Sequence, residues 1–207
     1  MIYVAESERP TNFFSPSYKY FIYENNLDIN SDNLKDYILS VEKDIIKNSE
    51  PQGDGLTGLG DQSLTSRHMS FNLFDMEETK YLTNHIKHNY LSFLKELNVP
   101  IPDKTYGKCW ANVMREGEQI KRHRHEGRSS SYLSGHLCVE TNKTKTYYVN
   151  PFDDTLLISE NKPGKITLFP SWIEHYTDTT SSLRITIAFD LVLIKTKYTE
   201  NANWTLI

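Results

Sequence analysis

Three imidazoles and one guanidinium give this sequence most of its chemical reach: His123, His125, His175 and Arg184. The stretch Lys121-Arg122-His123-Arg124-His125-Glu126 places two histidines at alternate positions. In an extended strand, residues i and i+2 leave the same face, so both rings can address one ion or one substrate. His175 comes shortly after a Gly-Lys-Ile-Thr-Leu-Phe-Pro-Ser-Trp segment that ends at Trp172. Three neutral imidazole nitrogens from separated strands can hold a metal and leave positions for water, a bidentate cosubstrate or oxygen. Their spacing does not choose between an octahedral iron site and a catalytic zinc. A closed structural zinc site lacks a fourth ligand, because Cys109 and Cys138 have no metal-motif spacing.

Arg184 adds a different requirement. A guanidinium projecting from a strand matches a planar carboxylate through two parallel, charge-assisted hydrogen bonds. Thr186, two residues on, lies on the same strand face and offers a hydroxyl to the same anion. The pair points to an acidic small molecule held near the metal. Other polar residues give weaker signals. His85 and His88 lie at i and i+3 of a predicted helix with no third ligand nearby, and read as exposed or packing side chains. Asp153, Asp154, Asp178 and Asp190 form no paired-carboxylate pattern and are left out of the metal shell. Trp110, Phe169 and Trp172 read as core or pocket-wall aromatics, and His136 reads equally well as structural or pocket-facing.

These residues need a scaffold. Asn30 to Lys47 reads as a helix capped by Asn30 or Ser31, with Leu34, Ile38, Val41 and Ile45 on its buried face. A second helix is predicted from about Met76 to Leu97, packed through Leu82, Ile86, Tyr90, Phe93, Leu94 and Leu97. Between them, residues 48–70 carry Pro51 and four glycines; a loop this long inside a compact domain suggests a site cover. After residue 105 short strands recur at Lys108–Met114, Gln119–His125, Tyr132–Glu140, Thr144–Val149, Thr155–Ile158, Lys165–Phe169 and Leu183–Ile194. Tyr18–Tyr23 reads as an earlier strand. This spacing indicates a mainly β fold with N-terminal α-helices beside an antiparallel, jelly-roll-like sheet.

At 207 residues the chain has the size of one large domain that buries its own core. The expected organisation is a single domain over 1–207, with helical support over about 1–104 and the β core over about 105–195. Twenty-three basic residues against 27 acidic ones leave a formal charge of −4, which argues for neither nucleic acid nor membrane as a partner. Lys121, Arg122, Arg124 and Arg128 make a local basic cluster, read as a solvated rim with nucleic acid kept open. Two cysteines, an acidic amino terminus and no long apolar run indicate a cytoplasmic protein without a membrane span. A homodimer stays open.

Taken together, the stretch from Trp110-Ala111-Asn112-Val113 to Phe189 resembles the iron(II)- and 2-oxoglutarate-dependent dioxygenases. More narrowly, it resembles a branch found among bacterial and bacteriophage proteins of about this length. The resemblance is carried by His123-Arg124-His125, Ser134-Gly135, Pro163-Gly164, Leu168-Phe169-Pro170-Ser171-Trp172, His175 and Arg184-Ile185-Thr186-Ile187-Ala188-Phe189. It implies a double-stranded β-helix, or cupin-like jelly roll. It also implies Fe(II) as cofactor, 2-oxoglutarate as cosubstrate, molecular oxygen as substrate, and hydroxylation of an unknown primary substrate with release of succinate and carbon dioxide.

Carried over residue by residue, it makes His123 and His175 iron ligands and Arg184, assisted by Thr186, the clamp on the far carboxylate of 2-oxoglutarate. Asn112, Tyr132 and Tyr147 become candidates for its other end. His125 stands where most of the superfamily has Asp or Glu. It remains the preferred third ligand, with Glu126, which a regular strand would turn to the opposite face, as the other choice. A cupin-like protein that binds metal or a small acid without turnover, and a phage structural protein, are the competing expectations.

Overall fold

The computed structural model describes residues 1–7, 12–14, 17–125, 132–193 and 203–207. Helix α1 (Ser31–Asn48) starts at its cap: the Asn30 side chain accepts the backbone N–H of Asn33 at 3.0 Å. Leu34 and Ile38 are buried on its inner face. The next buried position is Glu42, whose carboxylate accepts two hydrogen bonds from Arg115, at 3.0 and 2.6 Å. Helix α2 (Leu82–Glu96) begins six residues later than its periodicity predicts. The chain before it makes a 3-10 turn at Leu73–Asp75, and Thr79 donates its hydroxyl to the Leu73 carbonyl at 2.6 Å. That side chain-to-backbone bond holds the segment in turns, so the acids at 75, 77 and 78 lie ahead of the helix.

The described residues form ten strands: β1 (Ile2–Glu6), β2 (Lys19–Asn26), β3 (Tyr106–Met114), β4 (Leu133–Glu140), β5 (Lys145–Val149), β6 (Leu156–Glu160), β7 (Lys165–Pro170), β8 (His175–Thr177), β9 (Arg184–Val192) and β10 (Thr205–Leu206). Seven form one antiparallel sheet in the order β1-β2-β7-β4-β9-β3-β10, and three form a second in the order β6-β5-β8. Strands β1 and β2, from the amino-terminal part of the chain, therefore extend the large sheet that carries β3, β4 and β9.

The double-stranded β-helix, or jelly roll, is corrected by this topology. Among the described residues the strands make two open sheets of unequal size, and neither sheet curls into a closed barrel. The predicted strand Gln119–His125 explains part of the difference. It forms only an isolated bridge between His123 and His175. Its backbone N–H groups go instead to three separate acceptors: Thr57 from Lys121, His175 from His123 and Ser171 from His125. The segment divides its bonds between Thr57 and the 171–177 segment, and with only one bridge formed it adds no full strand to the small sheet.

The large sheet divides the molecule by simple alternation. On β9, Ile185, Ile187, Phe189 and Leu191 join the main apolar cluster with Leu34 and Ile38 of α1 and Leu82, Ile86, Tyr90, Phe93 and Leu94 of α2. The intervening Arg184, Thr186, Ala188 and Asp190 face a cavity on the other side. Strand β3 repeats the pattern: Cys109, Ala111 and Val113 pack in the core, and Lys108, Trp110 and Asn112 line the cavity. At Gly135 on β4, a Cβ would strike the Phe189 ring and the Thr167 carbonyl, so this crossing of strands admits only hydrogen. No helix among the described residues is long and apolar enough to cross a membrane.

Candidate functional site

His123, His125 and His175 converge in the cavity. Each offers one ring nitrogen, and these atoms all lie within 4.8 Å of one another. The backbone sets two of them face to face: His123 and His175 exchange N–H···O bonds of 3.1 and 2.9 Å. Their ring centroids are 4.4 Å apart, and His125 sits 5.3 and 5.2 Å from the two. Side-chain contacts orient all three rings. His123 Nδ1 meets the Lys121 carbonyl at 2.8 Å and His175 Nδ1 the Ile173 carbonyl at 3.2 Å. Both partners can only accept, so Nδ1 carries the proton and Nε2 keeps its lone pair. His125 Nδ1 meets the Asp190 carboxylate at 2.7 Å, which imposes the same tautomer.

The electrostatics agree with ligand duty. Burial, reinforced by the neighbouring His125, lowers His123 to about 4. Burial and the other two imidazoles hold His175 well below the usual histidine range. These rings are neutral at pH 7 and can donate a lone pair. For Asp190, burial works toward the neutral acid, but His125 and the hydrogen bond from Ser134, 2.6 Å from its Oδ1, outweigh it and keep the carboxyl below its ordinary value. The Asp190 carboxylate thus lies one hydrogen bond behind a candidate metal ligand. Three nitrogen donors fit Fe(II) or Zn(II), with coordination positions left for a cosubstrate.

Arg184 is 1 % exposed, and its guanidinium pairs with no carboxylate among the described residues. Its Nε donates to Thr144 Oγ1 and its Nη1 approaches Met114 Sδ, both at 3.0 Å. Thr186 lines the same cavity two residues along β9. His136, from β4, also lines it; its Nε2 is buried with no hydrogen-bond partner. Burial and the Arg184 charge lower His136 to about 3. An unpaired buried guanidinium beside an orphaned ring nitrogen makes a chamber suited to a small anion.

Six of the eight residues singled out from sequence line this cavity of about 190 Å³: Asn112, His123, His125, His175, Arg184 and Thr186. Asn112 already accepts a hydrogen bond from Thr65 at 2.6 Å. Tyr132 and Tyr147 are not among the lining residues. The Tyr132 hydroxyl donates to Tyr90 on α2, and Tyr147 donates to Asp178 at 2.7 Å while stacking on Tyr176. Glu126 and Arg128 lie outside the described residues. Arg122, from the basic cluster, is engaged by Glu174 at 2.6 Å and Asp154 at 3.0 Å.

Lys108 is a cavity residue that motif reasoning passed over; Asp190, left out of the metal shell, and His136, left open between structural and pocket-facing, also line the cavity. Their signal was the two-residue alternation, which runs from Arg184 through Thr186 to Asp190 and from Lys108 to Asn112. The glycine-rich segment 48–70 does border the site, through Asp54, Gly55, Thr57, Thr65, His68 and Met69. Asp54 ties its turn by accepting the N–H groups of Leu56 and Gly60, at 3.1 and 2.9 Å.

Residues 108–190 match the profile of a protein family described as "Putative 2OG-Fe(II) oxygenase". No curated protein sequence matches the chain. Among solved structures, a Pseudomonas putida prolyl-4-hydroxylase is similar in fold, with a TM-score of 0.57 at 12% identity over 84% of this chain and 93% of that one. A prolyl hydroxylase from Trichoplax adhaerens, solved with a hypoxia-inducible-factor peptide fragment, gives a TM-score of 0.57 at 11% identity over 82% of each chain. The collagen prolyl hydroxylase of Paramecium bursaria Chlorella virus-1, in complex with 2-oxoglutarate, gives 0.51 at 10% identity over 82% of this chain and 94% of that one. At such identities the structures speak for the fold alone.

Proposed function

We propose that this chain is an iron(II)- and 2-oxoglutarate-dependent oxygenase, as the family model matching residues 108–190 supports, and that it hydroxylates a primary substrate with His123, His125 and His175 as the iron ligands. The observation that carries this reading is the convergence of three tautomer-fixed imidazoles in one cavity with an unpaired, buried arginine. Iron(II), when bound, supplies the oxidation chemistry that couples conversion of 2-oxoglutarate to succinate and carbon dioxide with oxygen insertion into a C–H bond.

The protein's own work is to place and protect. The three Nε2 atoms would hold the metal and leave coordination positions for the cosubstrate and oxygen. Arg184 receives the far carboxylate of 2-oxoglutarate, with Thr186 beside it on the same strand face. His136 lies between that carboxylate and the metal ligands along the strand ladder, where its unpaired ring nitrogen can meet a polar atom of the cosubstrate. Trp110 stacks against His125 at 5.8 Å between centroids, and Phe169 lies edge-on to His175 at 4.7 Å. These rings exclude water from the imidazoles and limit their rotation.

Anaerobic titration with Fe(II) and 2-oxoglutarate tests the proposal. A charge-transfer absorbance should appear in the native chain and be absent in His175→Ala, and admission of oxygen should produce succinate. A chain that binds both and yields no succinate is a binding protein, and one that binds neither under varied metals is not an oxygenase.

A further inference from the structure

Lys108 shares the cavity with the three imidazoles but takes no part in orienting them. It is 2 % exposed. Its ammonium has one hydrogen-bond neighbour, the Met69 sulfur at 3.5 Å, which is a weak acceptor. Among the described residues it forms no ion pair, although Asp190 is its register partner across β3 and β9. That carboxylate oxygen is already engaged by His125 at 2.7 Å and by Ser134 at 2.6 Å. A buried ammonium without an ion-pair contact lowers stability, and an anion entering the cavity relieves the cost.

The second buried cation of the cavity, Arg184, stands elsewhere. It pairs with Met114 at one end of the β3–β9 ladder, and Lys108 pairs with Asp190 near the other. Six residues of β9 separate the two levels, about 20 Å at 3.4 Å per residue. In the proposed reaction the cosubstrate has two carboxylates, one for Arg184 and one for the metal. Lys108 is left over, beside Met69, His68 and Trp204 on the cavity wall.

We propose that the Lys108 end of the cavity binds an anionic group, carboxylate or phosphate, of the primary substrate, so that the enzyme acts on an acidic molecule held beside the metal. The term substrate rests on the oxygenase reading, whereas the anion site rests on Lys108 and its surroundings.

The test is a titration of the full chain with acetate and, separately, with inorganic phosphate, followed by tryptophan fluorescence and by NMR of the lysine side chains. It is run on metal-free protein and on protein loaded with Mn(II) and saturating N-oxalylglycine, which fills the cosubstrate position without turning over. Saturable binding of at least one anion is expected in both states, weakened tenfold or more in Lys108→Met and retained within a few-fold in Lys108→Arg. Acetate and phosphate separate the two anion chemistries. Absence of saturable binding, equal binding by Lys108→Met, or displacement of the anion by N-oxalylglycine would each overturn the proposal. No oxygen is consumed and no succinate is measured, so this titration and the oxygenase assay fail independently.

Discussion

The Nδ1 atom of His125 lies 2.7 Å from a carboxylate oxygen of Asp190, which comes from the other side of the site on β9. The contact puts negative charge behind the one proposed iron ligand that the family resemblance would make an acid. It does so through the imidazole, leaving Nε2 for the metal. Asp190→Asn keeps the shape and removes the charge. Affinity for Mn(II) or Co(II) should fall roughly ten- to a hundredfold, the range found when such outer partners are lost. Calorimetric titration of the apoprotein reads this directly, and unchanged affinity would mean that Asp190 only packs.

Arg184 should separate cosubstrate binding from metal binding. Arg184→Met removes the guanidinium from a site where Thr144 and Met114 are its protein neighbours. The 2-oxoglutarate concentration needed for half-maximal charge-transfer absorbance should rise by on the order of a hundredfold, as expected for a lost charge-assisted pair worth about 2–3 kcal/mol. Mn(II) affinity in the absence of 2-oxoglutarate should change by less than threefold. A metal affinity that fell in parallel would place Arg184 in maintenance of the site's shape.

Gly135 offers a test of the strand crossing. Its added Cβ would meet the Thr167 carbonyl, a backbone atom with little room to move, as well as the Phe189 ring. Gly135→Ala should destabilise the fold by about 1–3 kcal/mol. Chemical denaturation monitored by circular dichroism measures it, and a stability equal to the native chain's would show that β4 and β7 can separate freely.

Lys108 gives a pH dependence with a definite sign. Burial lowers its folded-state value to about 8, with Asp190 opposing, from an ordinary 10.5. Between these values the unfolded chain binds the proton and the folded chain releases it, so this residue's contribution makes stability rise with pH across that window. Below about pH 8 both states are protonated and the full burial cost applies. Lys108→Met should therefore be more stable than the native chain at pH 7, by on the order of 2 kcal/mol. The difference should shrink as pH approaches 10. Melting temperatures of the two proteins from pH 7 to 10 check this, and a constant difference would contradict it.

Much of the candidate site is legible in the sequence. His123, His125, His175 and Arg184 stood out because few side chains can ligate a metal or clamp a carboxylate, and their spacing placed them on neighbouring segments. Helix α1 was legible from its Asn30 cap and its three-to-four-residue apolar repeat, since both signals are local. The start of α2 was not, because the Thr79 bond to Leu73 competes with helix formation at residues the periodicity accepts. The segment 119–125 misled for a related reason. Its alternation suits a strand, but its hydrogen bonds go to Thr57, His175 and Ser171, partners far away in the chain. With that segment limited to a bridge, the sheets stay open and the expected jelly roll does not form.

What the sequence by itself determined is the inventory: three imidazoles, a strand-borne arginine and the two-residue alternation that sorts core from cavity. Those properties follow from side-chain chemistry and backbone geometry within a few residues. Only the tertiary structure decided that Asp190 reaches His125, that Tyr132 turns to Tyr90 on α2 and Tyr147 to Asp178, and that Lys108 is buried without an ion-pair contact among the described residues. Each of these depends on which strands lie side by side and in what register, and that pairing is set by the packing of the whole chain around its sheets.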